Sequence, residues 1–248
     1  MVDDDRRMET TRSRAPAGTS EGKAPAPSAK SEISAFIGAA QATRDVATAG
    51  RLVIALDATM SRQPTWDRAC MIQGEMFTAA GKVGRLAMQL VYFRGFGECA
   101  ASKWVGDGEA LARLMTRIDC RGGQTQIRKV LRHTIDETRR RKVQALVYIG
   151  DCVEEDVDAL CARAGELGLL GVPAFIFQDG ADAHAETAFR EIARLTRGAH
   201  FRLDGSSARE LAELLKAAAV YAAAGREGLE RLTRGGDGGA KRLLQHLG

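Results

Sequence analysis

Cysteine is scarce and irregular in this chain. Its 248 residues hold five (Cys70, Cys99, Cys120, Cys152, Cys161), an odd number with no Cys-x-x-Cys spacing. That excludes a disulfide framework and a thiolate zinc site, and it fits reduced thiols in a cytosol. No apolar run approaches the ~20 residues that a membrane-spanning helix needs. The opening Met1-Val2-Asp3-Asp4-Asp5 builds no apolar signal core, so secretion is not expected. The net charge of +4 is mild, and no basic stripe is interleaved with aromatics. Neither nucleic acid nor a membrane is therefore an expected partner. The basic run Arg139-Arg140-Arg141-Lys142 reads as the cationic end of a helix. No Gly-x-x-x-x-Gly-Lys-Ser/Thr and no Gly-x-Gly-x-x-Gly opens a helix, which argues against a nucleotide site.

What the chain does have is an ordinary apolar share, 45%, in a regular arrangement. Residues 1–31 are rich in Pro, Ala, Ser, Thr and charge, and hold three of the five prolines. They read as a disordered tail. Over 32–50, Ile33, Phe36, Ile37 and Ala40 recur at helical spacing behind a Ser31 cap, which predicts an amphipathic helix up to about Thr48. Short apolar runs then alternate with helical patterns. Strands are expected at Leu52–Leu56, Arg85–Phe93, Val143–Gly150, Val172–Phe177 and His200–Leu203. Helices are expected at Trp66–Ala80, Glu109–Ile118, Gln126–Arg141, Glu154–Leu167, Ala185–Thr196 and Ala208–Ala223. The glycine turn Arg94–Glu98 leads to a short antiparallel strand over Ser102–Val105. This alternation predicts an α/β fold, a mostly parallel sheet with helices on both faces, over 51–223. Residues 224–248 read as a glycine-rich tail, with a flexible spacer at Arg234–Gly239 before a short Leu243-Leu244-Leu247 stripe. That stripe reads either as a docking segment or as a helix packed back on its own domain.

The chemistry gathers behind the first strand. In Asp57-Ala58-Thr59-Met60-Ser61, a carboxylate and two hydroxyls stand at alternate positions directly after a buried run. Hard oxygens of this kind suit a small divalent cation, Mg²⁺ first and Mn²⁺ second. In a parallel sheet, ligands collect beyond the carboxyl ends of the strands. Asp151 follows another apolar strand, and Thr125 lies in the loop Gly122-Gly123-Gln124-Thr125 that enters a helix, so both are expected at the same rim. Plainer roles stay open: a helix cap for Asp57, an N-cap for Thr125, and a turn or cap for Asp151. Cys152 reads as a redox handle or a small packed residue. The four histidines are scattered and carry no metal assignment.

These five places, Asp57, Thr59, Ser61, Thr125 and Asp151, resemble the metal-ion-dependent adhesion site (MIDAS) of von Willebrand factor type A (VWA) domains. That site is written Asp-x-Ser-x-Ser, then a distant Thr and a distant Asp. The one departure is Thr59 for the first Ser, which keeps the hydroxyl and adds a methyl. The resemblance covers Arg51 to Ala223. It implies a three-layer Rossmann-like sheet with one antiparallel edge strand. It also implies a bacterial, cytoplasmic protein-interaction domain without enzymatic turnover. Its Mg²⁺ would take a Glu or Asp from a protein partner, such as an AAA-type ATPase or chaperone complex. Two rivals stand beside it. A haloacid-dehalogenase-like phosphatase shares the strand-terminal Asp but wants a carboxylate where Thr59 stands, and a downstream lysine. A metal-free scaffold of the same fold would use another surface.

Overall fold

The computed structural model of the chain describes residues 49–59, 67, 79, 84–203 and 208–247. The tail over 1–31, the helix expected up to Thr48, and Ser61 lie outside these residues. So does the helix expected over Trp66–Ala80, apart from Asp67 and Ala79, both helical.

The first strand, β1 (Gly50–Asp57), is buried along all but its first residue. Its Leu52, Ile54 and Leu56 point into one core, and its Val53 and Ala55 into another. A strand covered on both faces reads as a continuous apolar run, and that is why this segment shows no alternation. Strand β2 (Leu86–Arg94) pairs parallel with β1. Strand β3 (Glu98–Ala101) returns antiparallel to β2. The antiparallel edge therefore begins four residues before the expected Ser102–Val105. The Gly95–Gly97 turn reverses the chain at once, Gly95 at φ 60°, so pairing restarts at Glu98. Val105 keeps only a single bridge to Met88.

Helices α1 (Gly108–Met115) and α2 (Ile127–Arg140) follow, then β4 (Ala145–Gly150), α3 (Val157–Leu169), β5 (Ala174–Asp179), α4 (Ala183–Thr196) and β6 (Ala199–Leu203). The sheet order is β3-β2-β1-β4-β5-β6, with every pair but β2–β3 parallel. Helices α1, α3 and α4 start at Asp107, Asp156 and Asp182, each accepting a hydrogen bond from the backbone N–H three residues on. Aspartate at these places satisfies an orphan donor of the first turn and favours the dipole. One core holds α2, α3 and α4 against the sheet, through Val130, Leu131, Ile135, Leu160 and Phe189. The other holds α1 together with α5 (Ala208–Arg234) and α6 (Gly238–His246), through Leu111, Leu214, Leu215 and Leu243.

The C-terminal segment differs from a flexible spacer. Helix α5 runs on to Arg234 after a break at Gly225, and Asp237 caps α6 through Ala240 N at 2.8 Å. Leu243 is fully buried and Leu247 nearly so, both in the core that β1 lines. Burial of this apolar stripe holds the glycine segment in a tight turn. The stripe packs on its own domain. Among the described residues, no helix is long and apolar enough to cross a membrane.

Candidate metal centre

Strands β1 and β4 are neighbours in register, with Leu56 beside Ile149. Their carboxyl ends therefore emerge side by side, and each delivers an aspartate within two residues. Asp57 is 2% exposed. Its Oδ1 accepts the backbone N–H of Thr59 at 2.8 Å, a local turn that holds the carboxylate over the strand end. Thr59 is itself buried. A carboxylate oxygen of Asp57, one of Asp151 and Cys152 Sγ all lie within 4.8 Å of one another. Two aspartates far apart in sequence thus share one small volume.

The loop bearing Thr125 is laced to this rim from both sides. Arg121 N donates to Ala58 O at 2.9 Å, and Gln124 N to Gly95 O at 3.1 Å. Gly123 lies so near the β2–β3 turn that a Cβ there would stand 2.2 Å from Gly95 N. Gly122 has open space at the same place. Only the second glycine is required by close approach. Thr125 N donates to Glu154 Oε2 at 2.8 Å, and Glu154 N donates back to Thr125 Oγ1 at 3.0 Å. The buried Thr125 therefore does not cap α2 through its side chain. The cap position is Gln126, which makes no side-chain cap bond. Glu155 supplies the cap instead, accepting from Ile127 N and from Arg128 N at 3.1 Å. The segment after β4 thus presents Asp151 and clamps the Thr125 loop with its next two acids. Thr125 Oγ1 accepts one backbone N–H here, and a hydroxyl oxygen has two lone pairs.

Burial sets the electrostatics. The Cys152 thiol is pushed up to about 12, first by desolvation and then by the Asp151 and Asp57 carboxylates. It is a neutral thiol, not a thiolate. Tyr148, fully buried on β4, is held well above the usual phenol range by desolvation, with Asp57 next in weight. Among the described residues its hydroxyl makes no hydrogen bond. Glu155 is raised by burial, an effect its backbone hydrogen bonds oppose. Two close carboxylates with a neutral thiol beside them form a group that could hold a metal ion through its carboxylate oxygens.

Of the five residues singled out from sequence, the structure brings Asp57 and Asp151 together and folds Thr59 onto Asp57. It ties Thr125 to the segment that carries Asp151. Ser61 lies outside the described residues. Sequence reasoning missed the clamp by Glu154 and Glu155 and the place of Cys152 in the cluster. The clamp had no local signal, since its partners stand at a remote part of the chain. Cys152 was flagged only by its neighbour Asp151.

No protein-family model matches the chain, and no curated protein matches it in sequence. Solved structures do resemble it. A von Willebrand factor type A protein from Catenulispora acidiphila aligns with a TM-score of 0.57 at 16% identity, over 70% of this chain and 42% of its own. The SpRpn10 VWA domain aligns at 0.53 with 13% identity, over 67% of this chain and 95% of its own. The human COPII-coat protein Sec24c aligns at 0.55 with 9% identity, over 70% and 32%. The chain thus spans 42% of the length of the Catenulispora protein. At such identities the likeness is one of fold. The chain folds as a von Willebrand factor type A domain: a six-stranded, mostly parallel sheet with one antiparallel edge and helices on both faces.

Proposed function

We propose that this chain is a metal-dependent protein-recognition domain that binds and does not turn over substrate. Asp57, Thr59, Ser61, Thr125 and Asp151 would hold a Mg²⁺, with Mn²⁺ as a substitute. The observation that carries the reading is the meeting of the Asp57 and Asp151 carboxylates at the ends of adjacent parallel strands. When bound, the ion supplies a point of positive charge that attracts a carboxylate oxygen from a partner's Glu or Asp. The chain's own part is positional. Thr59 N–H orients Asp57, and Glu154 orients the Thr125 hydroxyl. Thr59 stands where a phosphatase of the rival kind needs a second acid, and a hydroxyl there serves ligation, not proton transfer. The resemblance adds a setting: a bacterial cytoplasmic accessory subunit working beside an AAA-type ATPase or a chaperone.

The test is a calorimetric titration of Mg²⁺ and Mn²⁺ into the metal-stripped protein and into Asp57→Ala. Saturable binding is expected for the wild type alone. Equal responses would remove the metal site. A parallel assay with p-nitrophenyl phosphate and Mg²⁺ should give no hydrolysis, and turnover lost in Asp57→Ala would establish the phosphatase instead.

A further inference from the structure

Cys152 takes no part in the proposed Mg²⁺ site, yet it stands inside the cluster. It follows Asp151 directly after β4, and its Sγ lies within 4.8 Å of a carboxylate oxygen of Asp57 and of one of Asp151. Asp57 is buried, while Asp151 and Cys152 are half-buried, so the group lies at the edge of the core within reach of solvent. Two donors on one ion stand no farther apart than the sum of their bond lengths. For a Zn²⁺ that takes sulfur at ~2.3 Å and oxygen at ~2.1 Å, that limit is about 4.4 Å. Small side-chain shifts therefore bring all three atoms onto one cation.

A second feature points to a ligand at this place. Tyr148 is 2% exposed, its ring held between Phe93 and Phe189 with centroids at 6.2 and 5.5 Å. Its hydroxyl reaches along β4 to Gly150, where a Cβ would stand 2.6 Å from it, so only glycine leaves it room. Desolvation aside, Asp57 and then Cys152 act on it most strongly. The hydroxyl is thus aimed at the aspartate–cysteine group, and it makes no hydrogen bond among the described residues. Leaving a buried donor unsatisfied is costly. An oxygen on a bound cation, or a carboxylate turned by one, supplies the acceptor.

Oxygen donors alone favour hard cations, whereas a sulfur donor shifts the choice toward Zn²⁺ and ions like it. Two carboxylates this close repel each other, and a dication cancels both charges. We propose that Asp57, Asp151 and Cys152 form a mixed carboxylate–thiolate site for a thiophilic divalent cation, Zn²⁺ being the type, which displaces Mg²⁺ from the rim. As the metal–sulfur bond forms, water leaves the ion and the Cys152 proton passes to solvent. Desolvation and the two carboxylates keep that proton on sulfur in the free protein. The ion cancels the second of these causes, and a coordinating thiol is deprotonated outright. The cysteine spacing excludes a site built from several thiolates; one sulfur beside two carboxylates is a different set. The inference rests on the metal reading for the meeting of the two aspartates and departs from it in the ion.

The test uses the metal-stripped full chain with a non-thiol reductant. Zn²⁺, Cd²⁺ and Mg²⁺ are titrated by calorimetry into the wild type, Cys152→Ser, Cys161→Ser and Asp57→Ala. Cd²⁺ is also followed by ultraviolet absorption, because a cadmium–thiolate bond gives a charge-transfer band and a carboxylate gives none. Cys161, a half-buried thiol on α3, is the control. Serine is nearly isosteric with cysteine, so thermal melts of both serine variants should match the wild type. The band is expected in the wild type and in Cys161→Ser, and not in Cys152→Ser or Asp57→Ala. The preference for Zn²⁺ over Mg²⁺ should fall about tenfold or more in Cys152→Ser, the worth of one lost ligand contact. No band in the wild type, a band that survives Cys152→Ser, or an unchanged Zn²⁺ preference would each overturn the inference and leave the Mg²⁺ reading standing. A band that needs Cys152 and Asp57, with no Mg²⁺ binding, would support the mixed site and remove the Mg²⁺ reading. No saturable binding of any of these ions would overturn both.

Discussion

Replacing Gly123 by alanine separates two segments that the site needs together. The new Cβ would stand 2.2, 2.3 and 2.5 Å from Gly95 N, O and Cα. Carbon contacts settle near ~3.5 Å, so the Thr125 loop and the β2–β3 turn must part by about 1 Å. The obstacle is backbone, and no side chain can swing aside. Overpacking of this kind costs about 1–3 kcal/mol. The Gln124 N–Gly95 O bond at 3.1 Å stretches beyond useful length at the same time, a further ~1 kcal/mol. A loss of about 2–4 kcal/mol in unfolding free energy is expected, read from urea denaturation. Gly122→Ala is the control, because its Cβ meets nothing within 4 Å. It should be neutral or slightly stabilising. Thr125 lies two residues from the clash, so the Mg²⁺ titration should weaken in Gly123→Ala and hold in Gly122→Ala. Equal stability of the two variants would refute the close-approach argument, whatever the metal data show.

Two further outcomes concern regions away from the rim. At the amino end of β1, Arg51 is 5% exposed and pairs with Glu137, 7% exposed, while Trp104 Nε1 donates to the same carboxylate at 2.9 Å. Glu137→Ala leaves the Arg51 charge buried without its counter-ion and should cost about 3 kcal/mol by denaturation; Arg51→Met with Glu137→Leu should recover much of that, and a double variant no better than Glu137→Ala would overturn the ion-pair argument. His133 and His200 each face a glutamine oxygen at 2.9 Å, and desolvation lowers both imidazoles below their ordinary value, with Glu137 opposing the shift at His133. The unfolded chain then binds more protons than the native one in the window below about pH 6.5. Their contribution is present above that pH and is lost as pH falls through the lowered native values. The urea midpoint should therefore fall between about pH 7.5 and about pH 5.5, and less steeply in His133→Gln/His200→Gln; an unchanged slope in the double variant would refute it.

Much of the architecture was legible along the chain. Runs such as Leu52–Leu56 and Ala145–Ile149 announce strands buried on both faces, because each side chain must leave water whichever way it points. The period of Ile127, Val130, Leu131 and Ile135 announces a helix lying on the sheet. These are local signals: burial writes its period directly into neighbouring residues. The oxygens of Asp57 and Thr59 at a strand end were readable for the same reason. The edge strand was misplaced by four residues, because the short sequence Glu98–Ala101, exposed at both ends and half-buried at its centre, carries little apolar pattern and the turn geometry sets its start.

By itself, then, the amino-acid order marked the five parallel strands, the described helices that alternate with them, and the side chains that offer hard oxygens. Three-dimensional packing decided the rest. It set Asp57 beside Asp151 by making β1 and β4 neighbours, and it gave the α2 cap to Glu155 in place of Thr125. It made Gly123 indispensable while leaving Gly122 free, and drew Leu243 into the core. Each of these depends on which remote backbone arrives within a few ångströms, a quantity that no stretch of sequence contains.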